Sequence, residues 1–498
     1  MDIHGWRRRD PEQLKWIVPV LILFGLIFSL ISIVNHCLFR TYALDLGIYN
    51  QALYAITHFK KAMFTLGLEG YEISFWGTHF SPIVFLYIPF QLIFGSFGLL
   101  IVQILAILFG GIGIFKYAYQ IFKKFSWSLM IMLIFFGMWG IYSALAFDFH
   151  NNVVGAMMVP WLFYYLKKEK ILASIMFFIL IIITQESVAL WMIFILAGLI
   201  VRDLVSGNHK TGPKVFRLQI SLLAISTAYF LTVSMIIIPY FNQQTDFFFR
   251  YSGLGDNFPE IVVSVISNPL SAIKLFVGGS SEPGIPPGIK LEFHLMVLLS
   301  GGIFLLYRPY YLIMLIPLYA QKMLSSDPVL WGINMQYSIE FMPILALSVT
   351  DSVCSSKFSK KHALIMLSII LILSYGATIK TMIKRNSIWY NKANTVFWQK
   401  PHYESDIDIR QAREVLKMIP DKAPVSASSP LAPHLYRREK LYHFPVVKDA
   451  DYIMILKGKG GIYPMDPARL VMAIDSLKNK SAFSTIKESD HLILLKRQ

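Results

Sequence analysis

The run WIVPVLILFGLIFSLISIVN, residues 16–35, is twenty consecutive residues without a formal charge. At about 1.5 Å of rise each, twenty helical residues cover the roughly 30 Å of hydrocarbon in a bilayer, so the run reads as a membrane-spanning helix. Arg7, Arg8, Arg9 and Lys15 precede it, no small-residue cleavage site follows it, and more apolar runs come after. It is expected to be a retained anchor rather than a removable signal peptide. The rest of the 498 residues are of the same kind: 55% are hydrophobic, 15% are charged, and the mean hydropathy is +0.54. Soluble domains carry roughly a quarter charged residues. A conventional soluble enzyme is excluded.

Outward from the first run, the chain alternates between apolar stretches and basic loops. Between Ile73 and Tyr117 the first formal charge is Lys116, and the run is interrupted at Gly95-Ser-Phe-Gly98. Short cytoplasmic loops collect Lys and Arg. One span near 97–116, preceded by a helix lying at the interface, keeps Lys116, Lys123 and Lys124 inside, whereas two spans would put them outside. Further spans are expected near 126–146, 152–166, 171–185, 187–201, 217–239, 292–307, 309–323, 338–352 and 362–380. Their inner loops hold Lys167, Lys168 and Lys170, Arg202 to Arg217, Arg308, and Lys357 with Lys360 and Lys361. The expected fold is mainly α: a polytopic bundle of about 11 transmembrane helices in the cell membrane, with the N-terminus cytoplasmic. A first outer loop covers 36–96 and a second covers 240–291. Residues 381–498 read as a small extracytoplasmic α/β domain, with strands near 424–428, 441–444 and 452–456, a helix at 466–479 and two closing strands.

Lys+Arg exceed Asp+Glu by 46 to 30, giving +16, but most of the excess lies in loops between apolar runs, so no nucleic-acid partner is expected. Two cysteines, Cys37 and Cys354, make neither a disulfide framework nor a zinc site. No Gly-rich phosphate loop and no Gly-x-Ser-x-Gly elbow occurs, which leaves nucleotide-driven pumping and serine hydrolysis without support.

Ionisable side chains at membrane depth are costly unless paired or facing water, so they mark function. Asp45 follows the first span; His79 stands in Gly77-Thr-His79-Phe-Ser-Pro82; Asp148 and His150 form Asp-Phe-His; Gln185-Glu186 divides an apolar stretch. The topology, set from Lys and Arg alone, places all five on the outer side, where a shared site is the economical reading. Each also has a structural reading: Asp45 as a helix cap, Asp148 with His150 as a loop pair, His79 as a cap-region residue, Glu186 as the turn of a helical hairpin. Asp45, His79, Asp148 and His150 are the candidates for a divalent metal, although Asp-x-His is a weak motif. Alternatively a carboxylate serves as general base while cations such as Lys60, Lys61, Arg250 and Lys290 in the outer loops neutralise a phosphate. For any one of those cations a solvated surface role stands beside it.

Leu44-Asp45-Leu-Gly-Ile-Tyr-Asn-Gln51, Thr78-His79-Phe-Ser-Pro82, Phe147-Asp148-Phe-His150, Gln185-Glu186, Gln336-Tyr337 before Pro343, and Ser426 to Arg438 with Tyr442-His-Phe-Pro445 resemble a family of polytopic membrane proteins of archaea and bacteria that carries a domain of unknown function. That family in turn resembles the GT-C glycosyltransferases, such as protein O-mannosyltransferases and aminoarabinose transferases. The resemblance implies an inverting transfer from a polyprenyl-phosphate sugar to a lipid, glycan or protein acceptor, among membrane lipids. Asp45 would be the base, with Asp148 and Glu186 in the catalytic set and His79, His150, Gln51 and Tyr337 on the substrate. The Asp-Glu pair of the mannosyltransferases is absent, since Leu46 follows Asp45. The rival expectation is a transporter or flippase of a lipid-linked saccharide, with the same polar residues lining a path.

Overall fold

The computed structural model describes residues 11–242, 254–255, 258–278, 284–355, 359–458, 462–479 and 482–498. Among the described residues, five helices are long and apolar enough to cross a membrane: Lys15–Cys37, Pro82–Phe122, Glu186–Val205, Pro213–Phe241 and Lys360–Ile383. The pair Phe125–Phe136 and Trp139–Leu145, bent by 48°, makes a sixth if counted as one span. Five or six is what length and apolar composition bear out of the about eleven spans expected, several of which the sequence already made short. The other apolar runs form shorter helices, such as Ile171–Ile182, Tyr310–Met323 and Phe341–Ser355. Twelve helical residues rise only about 18 Å. The first of these stops at Ile182 because Thr184, Gln185 and Glu186 redirect the chain into the next helix.

The helices pack through small residues. A side chain added at Gly111 would come within 2.2 Å of the Phe136 ring, and one at Gly137 within 2.1 Å of Tyr375. The Tyr375 hydroxyl in turn donates to the Leu133 carbonyl at 3.0 Å. Close backbone approach of this kind is how helices associate where lipid removes the hydrophobic drive. Phe24, Phe28 and Phe136 add an aromatic cluster, with Phe24 and Phe136 centroids 4.7 Å apart.

The interruption at Gly95 is real. The short helix Ile88–Phe94 ends at Gly95, whose φ of +61° suits a residue without Cβ, and the helix Gly98–Phe122 then begins. A Cβ at Gly98 would sit 2.6 Å from the Phe90 carbonyl oxygen, so the short helix folds back on the start of the long one. Phe85, Leu86, Leu92 and Ile93 remain exposed along this segment, an apolar strip suited to the membrane surface.

Strands β1 (Met63–Phe64) and β2 (Ile73–Ser74) pair antiparallel in the loop after the first span. The C-terminal sheet comprises β3 (Val425–Ala427), β4 (Leu441–His443), β5 (Tyr452–Leu456), β6 (Phe483–Glu488) and β7 (Leu492–Arg497), in the order β4-β3-β5-β7-β6. β3 runs parallel to β4 and β5, and β7 is antiparallel to β5 and β6. Alternation along β5 sends Ile453 and Ile455 to the helix Pro467–Asn479, where they meet Leu470, Ile474 and Leu477. Met454 and Leu456 point the other way and share a core with Ala43, Leu46, Phe64 and Leu66. The sheet and the loop after the first span therefore bury one another.

Polar contacts hold the same junction. The Arg40 guanidinium donates to the carbonyls of Ala393 (3.0 Å), His402 (2.9 Å), Pro401 (3.3 Å) and Glu404. His36 and His434 stack with centroids 4.1 Å apart and planes 13° apart. Burial, reinforced by the Arg413 charge, pushes the His434 imidazole from 6.5 down to about 3. Between those values the undocked chain takes up a proton that the docked chain refuses, so the contribution is complete above pH 6.5 and shrinks as pH falls toward 3. By pH 5 about 2 kcal/mol of it is lost. Thermal unfolding between pH 7.5 and 5 is expected to show a falling Tm, and His434→Phe to flatten that fall.

Candidate functional site

Tyr42 is extended, and the chain then makes a wide π-type turn, Ala43–Gly47, before the helix Ile48–Thr57. The opening N–H groups of such a turn lack partners within it. Here they are met from far along the chain. Tyr42 N and Leu46 N donate to Asp148 Oδ2 at 2.8 and 3.2 Å, and Ala43 N donates to Ser429 Oγ at 3.1 Å. The turn that carries Asp45 is thus fastened to the Asp-Phe-His segment and to the C-terminal sheet.

Asp148 is fully buried, while the Asp45 side chain keeps 30% of its surface exposed. His150 Nε2 lies 3.0 Å from Asp45 Oδ1. Gln103 grips the same segment from both sides: its Oε1 accepts from His150 N at 3.0 Å and its Nε2 donates to the Asp148 carbonyl at 3.2 Å. Phe147 stacks on the His150 ring at 5.5 Å. Burial, and after it the neighbouring Asp45 charge, push the Asp148 carboxyl well above the usual range. Asp148 is therefore a buried acceptor beneath the turn, with burial and Asp45 favouring its neutral form.

The second pair lies beside the first. His79 Nδ1 is 2.7 Å from Glu186 Oε1, Phe80 N donates to Glu186 Oε2 at 3.1 Å, and Gln185 Nε2 approaches His79 Nδ1 at 3.1 Å. Tyr49 connects the two. It is packed between Phe75 and Phe149, and its hydroxyl pKa is raised by burial and then by the charges of both Asp45 and Glu186. The sites expected from sequence thus form two carboxylate–imidazole pairs, with the buried Tyr49 phenol, hydrogen-bonded to Asn151, in the field of both carboxylates. For a metal this is a poor set: among the described residues no three His, Cys, Asp or Glu side chains gather closely enough to hold an ion.

The remaining sequence candidates fall elsewhere. Gln51 is buried and tied to Thr65 N through Oε1 (3.1 Å) and to the Glu439 carbonyl through Nε2 (2.8 Å). Lys60 pairs with Glu439 on the surface. Tyr337 is half-buried in the segment before the helix Phe341–Ser355. Arg250 lies outside the described residues.

Several polar groups escape the sequence reading. Asn152 Nδ2 donates to Glu340 Oε1 at 2.8 Å, and Glu340 lies within reach of the charges of His150 and Lys322. Lys322 is buried, donates to the Gly332 carbonyl at 2.8 Å, and sits 4.8 Å over the Phe293 ring. Lys290, one of the outer-loop cations expected from sequence, donates to the Met323 carbonyl at 3.0 Å and lies 4.2 Å over Trp331. Arg385 donates to Ser143 Oγ at 2.9 Å. The signal was present: Lys322 ends an apolar run and Glu340 precedes one, as Glu186 does, and the criterion of an ionisable group at the edge of a span applies to them equally.

Three comparisons place this geometry among known proteins. The structure of ArnT from Cupriavidus metallidurans bound to undecaprenyl phosphate superposes with a TM-score of 0.57 at 10% identity, covering 99% of this chain and 98% of that one. The oligosaccharyltransferase AglB from Archaeoglobus fulgidus, in complex with an inhibitory peptide and a dolichol-phosphate, gives 0.42 at 12% identity, over 90% of this chain and 70% of that one. The likeness to ArnT shows a shared fold, that of GT-C proteins. A search of the curated proteins matches none. The family model described as "Predicted membrane protein (DUF2079)" matches residues 35–494, and the chain, a membrane protein with several apolar spans and the two paired sites above, belongs to that family.

Proposed function

We propose that this protein is a GT-C-type membrane glycosyltransferase that moves a sugar from a polyprenyl-phosphate donor to a lipid, glycan or protein acceptor. The observation that carries the reading is Asp45: a half-open carboxylate, 3.0 Å from His150, on a turn pinned by a buried carboxyl. The undecaprenyl phosphate bound to the ArnT structure supports a polyprenyl phosphate as the lipid.

In this reading Asp45 takes the proton of the acceptor hydroxyl as its oxygen attacks the anomeric carbon. The bond from that carbon to the phosphate oxygen breaks, and polyprenyl phosphate leaves with the electron pair. His150 orients Asp45, and the pair His79–Glu186 with Tyr49 holds the sugar. Lys290, Lys322 and Arg385 supply positive charge for the departing phosphate. The polar groups stand at helix ends rather than at mid-span, which suits a headgroup reacting at the surface better than a transport path. Completing the arrangement, about eleven crossings, several of them short, put the N-terminus in the cytoplasm, and residues 1–380 form the membrane part with 381–498 outside.

Proteoliposomes given a mixed pool of labelled polyprenyl-phosphate sugars are expected to transfer label to a new acceptor. Label that crosses the bilayer while staying on its original lipid would replace this reading by a flippase.

A further inference from the structure

A second polar site lies at the far ends of the same helices. Arg202 is sixteen residues beyond Glu186 on one helix, about 24 Å away at 1.5 Å per residue. There the ends of the helices Gly98–Phe122, Asn151–Lys167, Glu186–Val205 and Phe341–Ser355 surround a cavity of about 320 Å³. A cavity of that size with a polar lining holds water or a ligand.

Its charges fall into two groups. Arg202 Nε is bound to Asp203 Oδ1 at 3.0 Å, and Gln219 Nε2 to Asp203 Oδ2 at 2.8 Å. The Asp351 oxygens accept from the hydroxyls of Tyr117 and Tyr311, each at 2.8 Å. These groups are spent on one another. Lys167, Arg308 and Glu169 also line the cavity; among the described residues none of the three makes an ion pair, and Arg308 hydrogen-bonds the Tyr310 hydroxyl. Two cations and one carboxylate thus face the same space. A simple anion would meet Glu169 as a repelling neighbour; a group carrying phosphate and ammonium together would satisfy all three.

Glu169 stands exposed at the rim of the cavity. It follows the helix Asn151–Lys167 with φ of +55°, a conformation that glycine adopts without strain. Its Oε1 reaches across to the backbone at Gly212, 3.8 Å from where a Cβ there would be.

We propose that this cavity binds a zwitterionic phospholipid headgroup of the phosphoethanolamine type, with the phosphate on Lys167 and Arg308 and the ammonium on Glu169. The site is separate from the Asp45 site and does not depend on its chemistry.

The test is native mass spectrometry of the full chain titrated with phosphatidylethanolamine, phosphatidylcholine and phosphatidylglycerol. Phosphatidylethanolamine is expected to bind about tenfold more tightly than either of the others, because only its ammonium both carries charge and donates hydrogen bonds to a carboxylate. Glu169→Gln and Glu169→Gly should both erase that preference. Since Glu169→Gly relieves the backbone, its loss of preference is not a folding defect. Arg308→Gln should weaken all three lipids. Soluble phosphoethanolamine at millimolar concentration should compete, showing that the headgroup is what is read. Equal or tighter binding of phosphatidylglycerol, a preference that survives both Glu169 variants, or indifference to phosphoethanolamine would overturn the proposal.

Discussion

Asp45→Asn is expected to lower sugar transfer by about a thousandfold, within the range that removal of a positioned general base costs. The amide has nearly the shape of the carboxylate, and its oxygen still accepts from His150 Nε2, so the contact at 3.0 Å survives. The turn itself hangs from Tyr42, Ala43 and Leu46 rather than from the Asp45 side chain. Thermal stability should therefore stay within about 1 kcal/mol of the parent. An inactive, folded variant isolates the chemistry; a variant that unfolds would show instead that Asp45 acts as a structural cap.

Asp148 gives the complementary result. Its Oδ2 accepts two backbone N–H groups in a fully buried position, and burial with the adjacent Asp45 favours its neutral form. A neutral acceptor suffices there. Asp148→Asn retains one carbonyl oxygen for both N–H groups and is expected to keep transfer within about threefold of the parent. Asp148→Ala strands both donors, at a cost of about 3 kcal/mol, and frees the turn to shift. Displacing Asp45 by about 1 Å should slow transfer about a hundredfold. Equal activity losses for the two variants in the transfer assay would mean that Asp148 works through its charge.

What could be read from the residues was the location of charge. Asp45, His79, Asp148, His150 and Glu186 stand out because each interrupts or borders an apolar run, and the Lys and Arg loops order those runs without structural help. The pairing was hidden: Asp45 meets His150 across 105 positions and His79 meets Glu186 across 107. No local pattern encodes such distances. Lys322 and Glu340 went unread because each is a lone charge among residues that otherwise look like packing. Gln51 and Lys60 show the opposite failure. Their polarity suggested a ligand, yet the fold brings Glu439 from 388 and 379 positions away to meet them. The Gly95 break was visible because glycine at a positive φ has a local cause. Helix length was not, since where an apolar run stops depends on what its neighbours bury.

The most direct measurement is a single-turnover mass balance. Purified protein in liposomes would be mixed with a polyprenyl-phosphate sugar and a cell-envelope acceptor extract, and free polyprenyl phosphate and transferred sugar counted together by mass spectrometry. One polyprenyl phosphate is expected for each sugar transferred by the parent, with neither product from Asp45→Asn. Release at the same rate in the Asp45→Asn protein, or translocated donor with no polyprenyl phosphate freed by the parent, would contradict the account.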